Sequence, residues 1–123
     1  MKRLMIAGGR DFDNYRYLSE SVDEFINKIF PGEEIVIVSG TARGADKLGE
    51  LYAEEKGYAV ERYPADWDKY GRSAGFRRNE QMMEVADAAI MFWDGESHGT
   101  KHDIELSQKK GIPYKVKYYK IKK

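Results

Sequence analysis

The sequence predicts an α/β domain in which a mostly parallel sheet of about five strands carries helices on both faces. Two observations support this prediction. Short apolar runs alternate with segments of helical periodicity along the chain, and the first two runs are continuously apolar, as is typical of strands buried on both faces. The length of 123 residues fits one compact domain, because domains cluster near about 100–150 residues. We therefore expect residues 1–123 to form a single domain.

The strands are predicted where apolar runs end in turn residues. The run at residues 4–7 ends in two glycines, and the run at 35–38 ends in Ser39 and Gly40. Five strands are predicted, at residues 4–7, 35–38, 59–63, 88–93 and 113–119.

Helical periodicity fills the intervals between these strands. In the first interval apolar residues recur at helical spacing from Leu18 to Phe30, with Asp13 placed to cap the helix and Pro31-Gly32 to stop it. A polar loop is predicted at 64–75, and further helices at 44–56, 76–86 and about 100–110. Because a helix separates each strand from the next, the strands are expected to run parallel.

Composition excludes several classes of protein. The chain has no cysteine, which rules out disulfides and thiolate-bound zinc. The N-terminal Met1-Lys2-Arg3 precedes only four apolar residues, too few for the roughly 7–15 residues of a signal-peptide core. We expect a cytoplasmic protein with no membrane partner.

Charge balances over the whole chain but is unevenly distributed. There are 21 basic and 21 acidic residues, and residues 109–123 contain seven lysines and no acid. A lysine-rich edge strand guards against pairing between sheets, whereas tyrosines and lysines together also suit contact with single-stranded nucleic acid. Both interpretations of this C-terminal segment stay open.

Glycines and charged residues follow three of the predicted strands. In an open α/β sheet ligands bind beyond the carboxyl ends of the strands, and a glycine loop that leads into a helix presents free amides to an anion. One such loop is commonly structural, but three on one sheet edge favour phosphate binding. The predicted ligand-binding residues in these loops are Gly8, Gly9, Arg10, Asp11, Ser39, Gly40, Arg43, Gly44, Asp46, Gly99 and Thr100. No loop matches GxGxxG or GxxxxGK[ST], which disfavours ordinary dinucleotide binding and ATP hydrolysis.

Three arginines precede or begin the third long helix. Arg72, Arg77 and Arg78 stand near the positive end of its dipole, where an anionic ligand would offset the repulsion. The alternative is that these arginines are solvated and paired with Glu80 and Glu84.

Thr100 and Asp103 also allow two interpretations. Their spacing fits a capping box, which needs no function, and it also fits a carboxylate facing a sugar bound under the glycine loop. His98 and His102 are four residues apart without a third ligand, so no metal site is predicted.

These residues resemble a known family. The segments 8–12, 39–46, Arg78-Asn79-x-x-Met82 and 93–100 are similar to the YspA-like branch of the SLOG superfamily, which includes the Lonely Guy phosphoribohydrolases and the DNA-processing protein DprA. The resemblance spans roughly residues 4–112 and implies a Rossmann-like three-layer fold.

The resemblance implies a nucleotide or nucleotide-derived ligand, no cofactor, and a role as a sensor or as a hydrolase of N-glycosidic bonds. By motif position, Arg78 corresponds to the catalytic arginine and Asp103 to the catalytic acid. Asn79, which stands where the hydrolases have lysine, is expected to bind the ligand. Trp67 or Tyr70 would stack on the base. DprA implies an alternative, non-catalytic binding of single-stranded nucleic acid, and the pairing of relatives through helices implies a homodimer.

Overall fold

A computed structural model describes residues 1–120 of the chain. The strands are β1 (Lys2–Gly8), β2 (Ile35–Ser39), β3 (Ala59–Arg62), β4 (Ala88–Trp93) and β5 (Tyr114–Tyr118). The helices are α1 (Tyr15–Ile29), α2 (Ala45–Lys56), α3 (Trp67–Tyr70), α4 (Ala74–Val85) and α5 (His98–Lys110), with a 3₁₀ turn at Gly71–Ser73.

The five strands form one parallel sheet in the order β3-β2-β1-β4-β5. The chain moves outward from β1 through β2 to β3, then crosses back to β4 and β5. The strand order therefore reverses between β1 and β4, which is the position where open α/β sheets bind ligands. The predicted α/β fold class is confirmed.

Helices cover both faces of the sheet. Leu4 and Ile6 of β1 pack with α1 and α2, whereas Met5 and Ala7 pack with the α4 side. The two faces alternate because successive side chains of a strand point in opposite directions. The central strands are apolar on both faces for this reason, and the result is a three-layer arrangement.

The first helix begins differently from the prediction. The cap is Asn14, whose side chain accepts a hydrogen bond from the Tyr17 amide at 3.0 Å, so the prediction that Asp13 caps α1 is wrong. Asp13 lies one residue too early to occupy the N-cap position, from which a side chain reaches the third helical amide. The helix ends as expected, because Phe30 caps it immediately before Pro31.

The segment predicted as a polar loop contains regular structure. Asp66 accepts a hydrogen bond from the Lys69 amide at 3.1 Å and caps the short helix α3. The 3₁₀ turn follows directly, and α4 begins at Ala74, two residues before the predicted start. This segment brings Trp67 to the edge of the sheet where the strand order reverses.

Among residues 1–120, none of the helices is long and apolar enough to cross a membrane.

Candidate functional site

A cavity of about 460 Å³ opens where the strand order reverses. Its size falls within the range of about 300–1,000 Å³ that is typical of small-molecule sites. The sequence-predicted residues that line it are Gly8, Gly9, Arg10, Asp11, Arg43, Asp46, Arg78, Asn79, Gly99, Thr100 and Asp103. The fold thus brings the loops after β1 and β2 and the three helices α2, α4 and α5 together around one space.

Three of the predicted residues lie outside this cavity. Gly40 lines an adjoining cavity, described below. Ser39 is buried, donates a hydrogen bond to the Glu50 carboxylate at 2.7 Å and accepts one from the Thr41 amide at 3.1 Å. It therefore shapes the loop after β2 from within. Gly44 lies beneath the loop after β1.

The contact between Gly44 and the first loop requires glycine. Its φ is +83°, and a Cβ at this position would lie 2.7 Å from the carbonyl carbon of Arg10. The neighbouring Ala45 amide donates to the Gly9 carbonyl at 3.2 Å. The first amide of α2 is therefore used to hold the loop after β1, whereas the sequence suggested that this helix terminus faces an anion.

Asp11 is held by the segment that follows β5. Tyr119 donates its hydroxyl proton to one carboxylate oxygen at 2.7 Å, and Lys120 forms an ion pair with the other. These two contacts lower the pKa of Asp11, Lys120 having the larger effect. Asp11 lines the cavity, but its carboxylate already has two partners.

Arg78 and Asn79 join the loops on either side of the cavity. The Arg78 guanidinium donates to the Gly40 carbonyl, and its Nε donates to the Asn79 side-chain oxygen at 2.9 Å. The amide nitrogen of Asn79 in turn donates to the Gly99 carbonyl at 3.5 Å. These contacts run along the wall of the cavity and connect the loop after β2 with the first turn of α5.

Asp103 lies at the bottom of the cavity with 4% of its surface exposed. Its side chain receives no hydrogen bond from residues 1–120, and its Oδ1 is fully buried without a partner. Burial raises the pKa of this carboxyl well above its usual range, and the charge of Asp46 adds to the effect while Arg78 opposes it. The capping-box interpretation is wrong, because α5 is capped at Ser97 and Asp103 lies beyond its first turn.

Asp46 is the second buried carboxyl of the site. It is 5% exposed and accepts a hydrogen bond from the Ala42 amide at 3.2 Å. Burial raises its pKa to about 6, although the charge of Arg78 and the bond from Ala42 lower it. Two neighbouring carboxyls with raised pKa values are an arrangement typical of binding and catalytic sites.

The N-terminus of α5 faces the same space. Ser97 forms no side-chain cap, and the amides of His98, Gly99 and Thr100 donate to no acceptor in the described part of the chain. Ser97, Gly99 and Thr100 line the cavity. Unpaired amides at a helix N-terminus attract anions through their dipoles.

Several residues of the site were not among the predicted ligand-binding set. Arg72 and Phe76 line the cavity, as does Trp67, which is 51% exposed. Of the two aromatic residues suggested for base stacking, Trp67 lies at the cavity. Tyr70 does not, because its ring packs against the Arg77 guanidinium at 4.5 Å. The sequence signal that could have pointed to Trp67 and Phe76 was the cluster of aromatic residues in the segment 64–76.

The remaining charged segments have local roles. Arg77 points away from the cavity and donates to the Ser73 hydroxyl at 3.2 Å, and within residues 1–120 no ion pair joins an arginine to Glu80 or Glu84. Lys115 and Lys117 lie on the edge strand β5, as expected for a guarded edge. The last three residues of the lysine-rich segment lie outside the described residues.

No group of acidic and histidine side chains that would hold a metal ion occurs in the part of the chain that the structure describes.

Comparison with known proteins identifies the family. The model of the family described as "YspA, cpYpsA-related SLOG family" matches residues 2–70. The chain belongs to this family. A curated relative in this comparison, the gene 61 protein of Mycobacterium phage D29, is 34% identical over 119 residues, covering 92% of this chain and 94% of the relative.

The SLOG chain also has a structural neighbour among solved proteins. DNA processing protein A (DprA) from Streptococcus pneumoniae matches with a TM-score of 0.71 and 16% sequence identity. The match covers 94% of this chain but only 49% of the DprA chain, so the SLOG chain spans about half the length of that protein. The likeness confirms the Rossmann-like α/β fold.

Proposed function

We propose that this SLOG protein binds a nucleotide or a nucleotide-derived ligand in the cavity between β1 and β4. The observation that carries the proposal is the Asp103 carboxyl, whose Oδ1 is buried at the cavity floor without a hydrogen-bond partner among residues 1–120. Buried polar groups nearly always have a partner. A ligand hydroxyl would supply one here, and the surrounding cations suit the phosphate of the same ligand.

The proposal assigns each part of the ligand to a group of residues. Arg10, Arg43 and Arg78 would bind phosphate together with the free amides of α5, because arginine and helix N-termini both recognise phosphate oxygens. Asp103 would bind a sugar hydroxyl of the ligand, and the exposed ring of Trp67 would stack on the base. Membership in the SLOG family and the fold shared with a DNA-processing protein support a nucleotide or nucleic-acid ligand in general.

A thermal-shift screen against nucleoside mono-, di- and triphosphates and cyclic nucleotides tests the proposal. A ligand present at about one hundred times its Kd stabilises the folded state by about 2.7 kcal/mol, which raises the Tm by on the order of ten degrees. Arg78→Met should abolish the shift. Arg77→Met is the matched control, because the neighbouring arginine points away from the cavity.

Two results would contradict the proposal. The first is a clean unfolding transition that no nucleotide moves. The second is an equal shift in wild type and Arg78→Met, which would mean that the nucleotide binds elsewhere. The Tm of each variant without ligand shows whether loss of the shift reflects binding or folding.

Hydrolysis of the N-glycosidic bond is a second candidate function, favoured by the two buried carboxyls. In this reaction the bond between C1′ and the base breaks, the base leaves with the bonding electrons and takes a proton, and water adds to C1′. In its ionised form, which burial disfavours and the charge of Arg78 favours, Asp103 would stabilise the positive charge that develops on the ribose. Chromatography of nucleoside 5′-monophosphates after incubation should show free base with wild type and none with Asp103→Asn. Absence of free base with every nucleotide that binds would rule the reaction out.

Other properties stay predictions. Two copies are expected to pair, and light scattering that finds a 14.2 kDa particle at high concentration would count against it. Cytoplasmic location is expected. Contact with single-stranded nucleic acid through the lysine-rich C-terminus predicts steep salt dependence of oligonucleotide affinity. Deleting residues 121–123 tests that contact. The deletion is kept short because a longer one would approach β5 and the residues that hold Asp11.

A further inference from the structure

The candidate cavity continues into a second one of about 440 Å³ beneath the loop after β3. Both cavities are lined by Arg10, Arg43 and Arg78. They are therefore two ends of one cleft that meet at three guanidinium groups. We name them the inner end, which contains Asp103, and the outer end, which contains Pro64 and Ala65.

The two ends of the cleft differ in chemistry. The inner end carries hydrogen-bonding side chains, namely Asp103, Asn79 and Thr100. The outer end is lined by Pro64 and Ala65, and no carboxylate lines it within the described residues. The indole of Trp67 lines both ends. A hydroxylated group suits the inner end, and a flat apolar ring suits the outer end, because aromatic side chains stack on bases whatever their identity.

The guanidinium groups at the junction form no direct ion pair within the described residues, although the charges of Arg10 and Arg78 act on the buried Asp46. Within residues 1–120 neither Arg10 nor Arg43 forms an ion pair or a side-chain hydrogen bond. Arg78 faces Asp46 and Asp103, whose pKa values it lowers against the effect of burial. Arginine binds phosphate through paired N–H groups. The guanidinium groups of Arg10 and Arg43, together with that of Arg78, which also faces Asp46 and Asp103, therefore suit two consecutive phosphate groups better than a single phosphate.

We propose that the cleft binds a nucleoside diphosphate whose terminal phosphate carries a sugar or another hydroxylated group. The base lies on Trp67 at the outer end, the two phosphates lie at the three arginines, and the hydroxylated group lies beside Asp103 and Asn79 at the inner end. This inference rests on the proposed function, because the same arginines bind the phosphates, and it defines the class of ligand.

Isothermal titration of the full chain tests the inference. The probes are the 5′-monophosphates, 5′-diphosphates and diphosphoglucoses of adenosine, guanosine, cytidine and uridine, together with inorganic diphosphate. For the preferred base, the diphosphoglucose should bind at least about tenfold more tightly than the monophosphate, with the diphosphate between them, since each added contact of this kind strengthens binding severalfold. Equal affinities for the three compounds would overturn the inference.

Filling the outer end gives an independent test. Ala65→Phe should weaken diphosphoglucose binding by about tenfold and inorganic diphosphate binding far less, because diphosphate alone reaches only the junction. Ala59→Phe, on the exposed start of β3, is the control. Unchanged diphosphoglucose affinity in Ala65→Phe would overturn the inference. If Ala65→Phe does not fold, the wild-type series alone decides.

The two proposals fail in different ways. If no nucleotide binds the wild-type chain, the proposed function is wrong and the inference falls with it. If nucleotides bind in an Arg78-dependent way but the added phosphate and sugar contribute nothing, only the inference is wrong.

Discussion

Replacing Asp46 with asparagine should stabilise the folded protein at neutral pH. Asp46 is buried, and burial raises the pKa of its carboxyl from 3.8 to about 6. Its charged form is therefore less favourable in the folded state than in the unfolded state. The asparagine side chain would keep an oxygen that accepts the hydrogen bond of the Ala42 amide and would lack the charge.

The size of the effect follows from the pKa difference. A change from 3.8 to about 6, at about 1.36 kcal/mol per pH unit, corresponds to about 3 kcal/mol. Below about pH 4 the carboxyl is protonated in both states, and Asp46 makes no charge-dependent contribution. As the pH rises from about 4 to 6, only the unfolded chain ionises, so the stability of the wild type falls. Above about pH 6 the loss is complete. The charge of Asp46 also raises the pKa of Asp103, so the substitution also removes a charge that disfavours ionisation of Asp103.

Urea unfolding at a series of pH values measures this effect. Asp46→Asn should exceed the wild type by about 3 kcal/mol near pH 7.5 and by much less near pH 4. Glu33→Gln, which removes an exposed carboxylate from the turn before β2, is the control. A gain that is the same at both pH values, or a loss near pH 7.5, would refute the reasoning.

Two further substitutions test how the loops and helices are held. Gly44→Ala should lower the free energy of unfolding by about 3 kcal/mol or more, because it combines a positive φ with a clash against the first loop. Gly57→Ala, with φ +75° and open space around it, should lose only about 1–2 kcal/mol in the same urea titration. Lys110→Met should lose about 1 kcal/mol, because the Lys110 ammonium donates to three backbone carbonyls at the end of α4. The neighbouring exposed Lys109→Met is its control, and equal losses in the two lysine variants would contradict the assignment.

The sequence predicts the fold well because the signals of its central strands are strong. The apolar runs in β1, β2 and β4 leave no alternative to burial on both faces, and the helical intervals between them require crossover connections. Short segments are less well predicted. α3 has only four residues, so it has no periodicity to detect. The N-cap of α1 depends on whether the chain turns at Asp13 or at Asn14, and both residue types are good caps.

The candidate site is partly predictable for a related reason. Parallel strands align their carboxyl ends, so the residues after β1, β2 and β4 could be expected to meet at one edge. Spacing does not distinguish residues that line the cavity from residues that build the loops. Gly44 holds the first loop through its lack of a side chain, and Ser39 holds the second through Glu50. The direction of each side chain on α4 depends on where that helix begins, so spacing alone does not separate Arg78 from Arg77, and only the resemblance of Arg78-Asn79-x-x-Met82 to a family motif singled out Arg78.

Amide chemical shifts during a nucleotide titration test the central claim most directly. With the nucleotide that stabilises the protein best, the shifts should be largest at Gly9, Arg10, Gly99 and Thr100, whose backbones border the cavity. They should vanish in Arg78→Met. Shifts that centre instead on the groove between α1 and β5, around Lys28 and Lys115, would show that the nucleotide binds elsewhere and would contradict the assignment of the site.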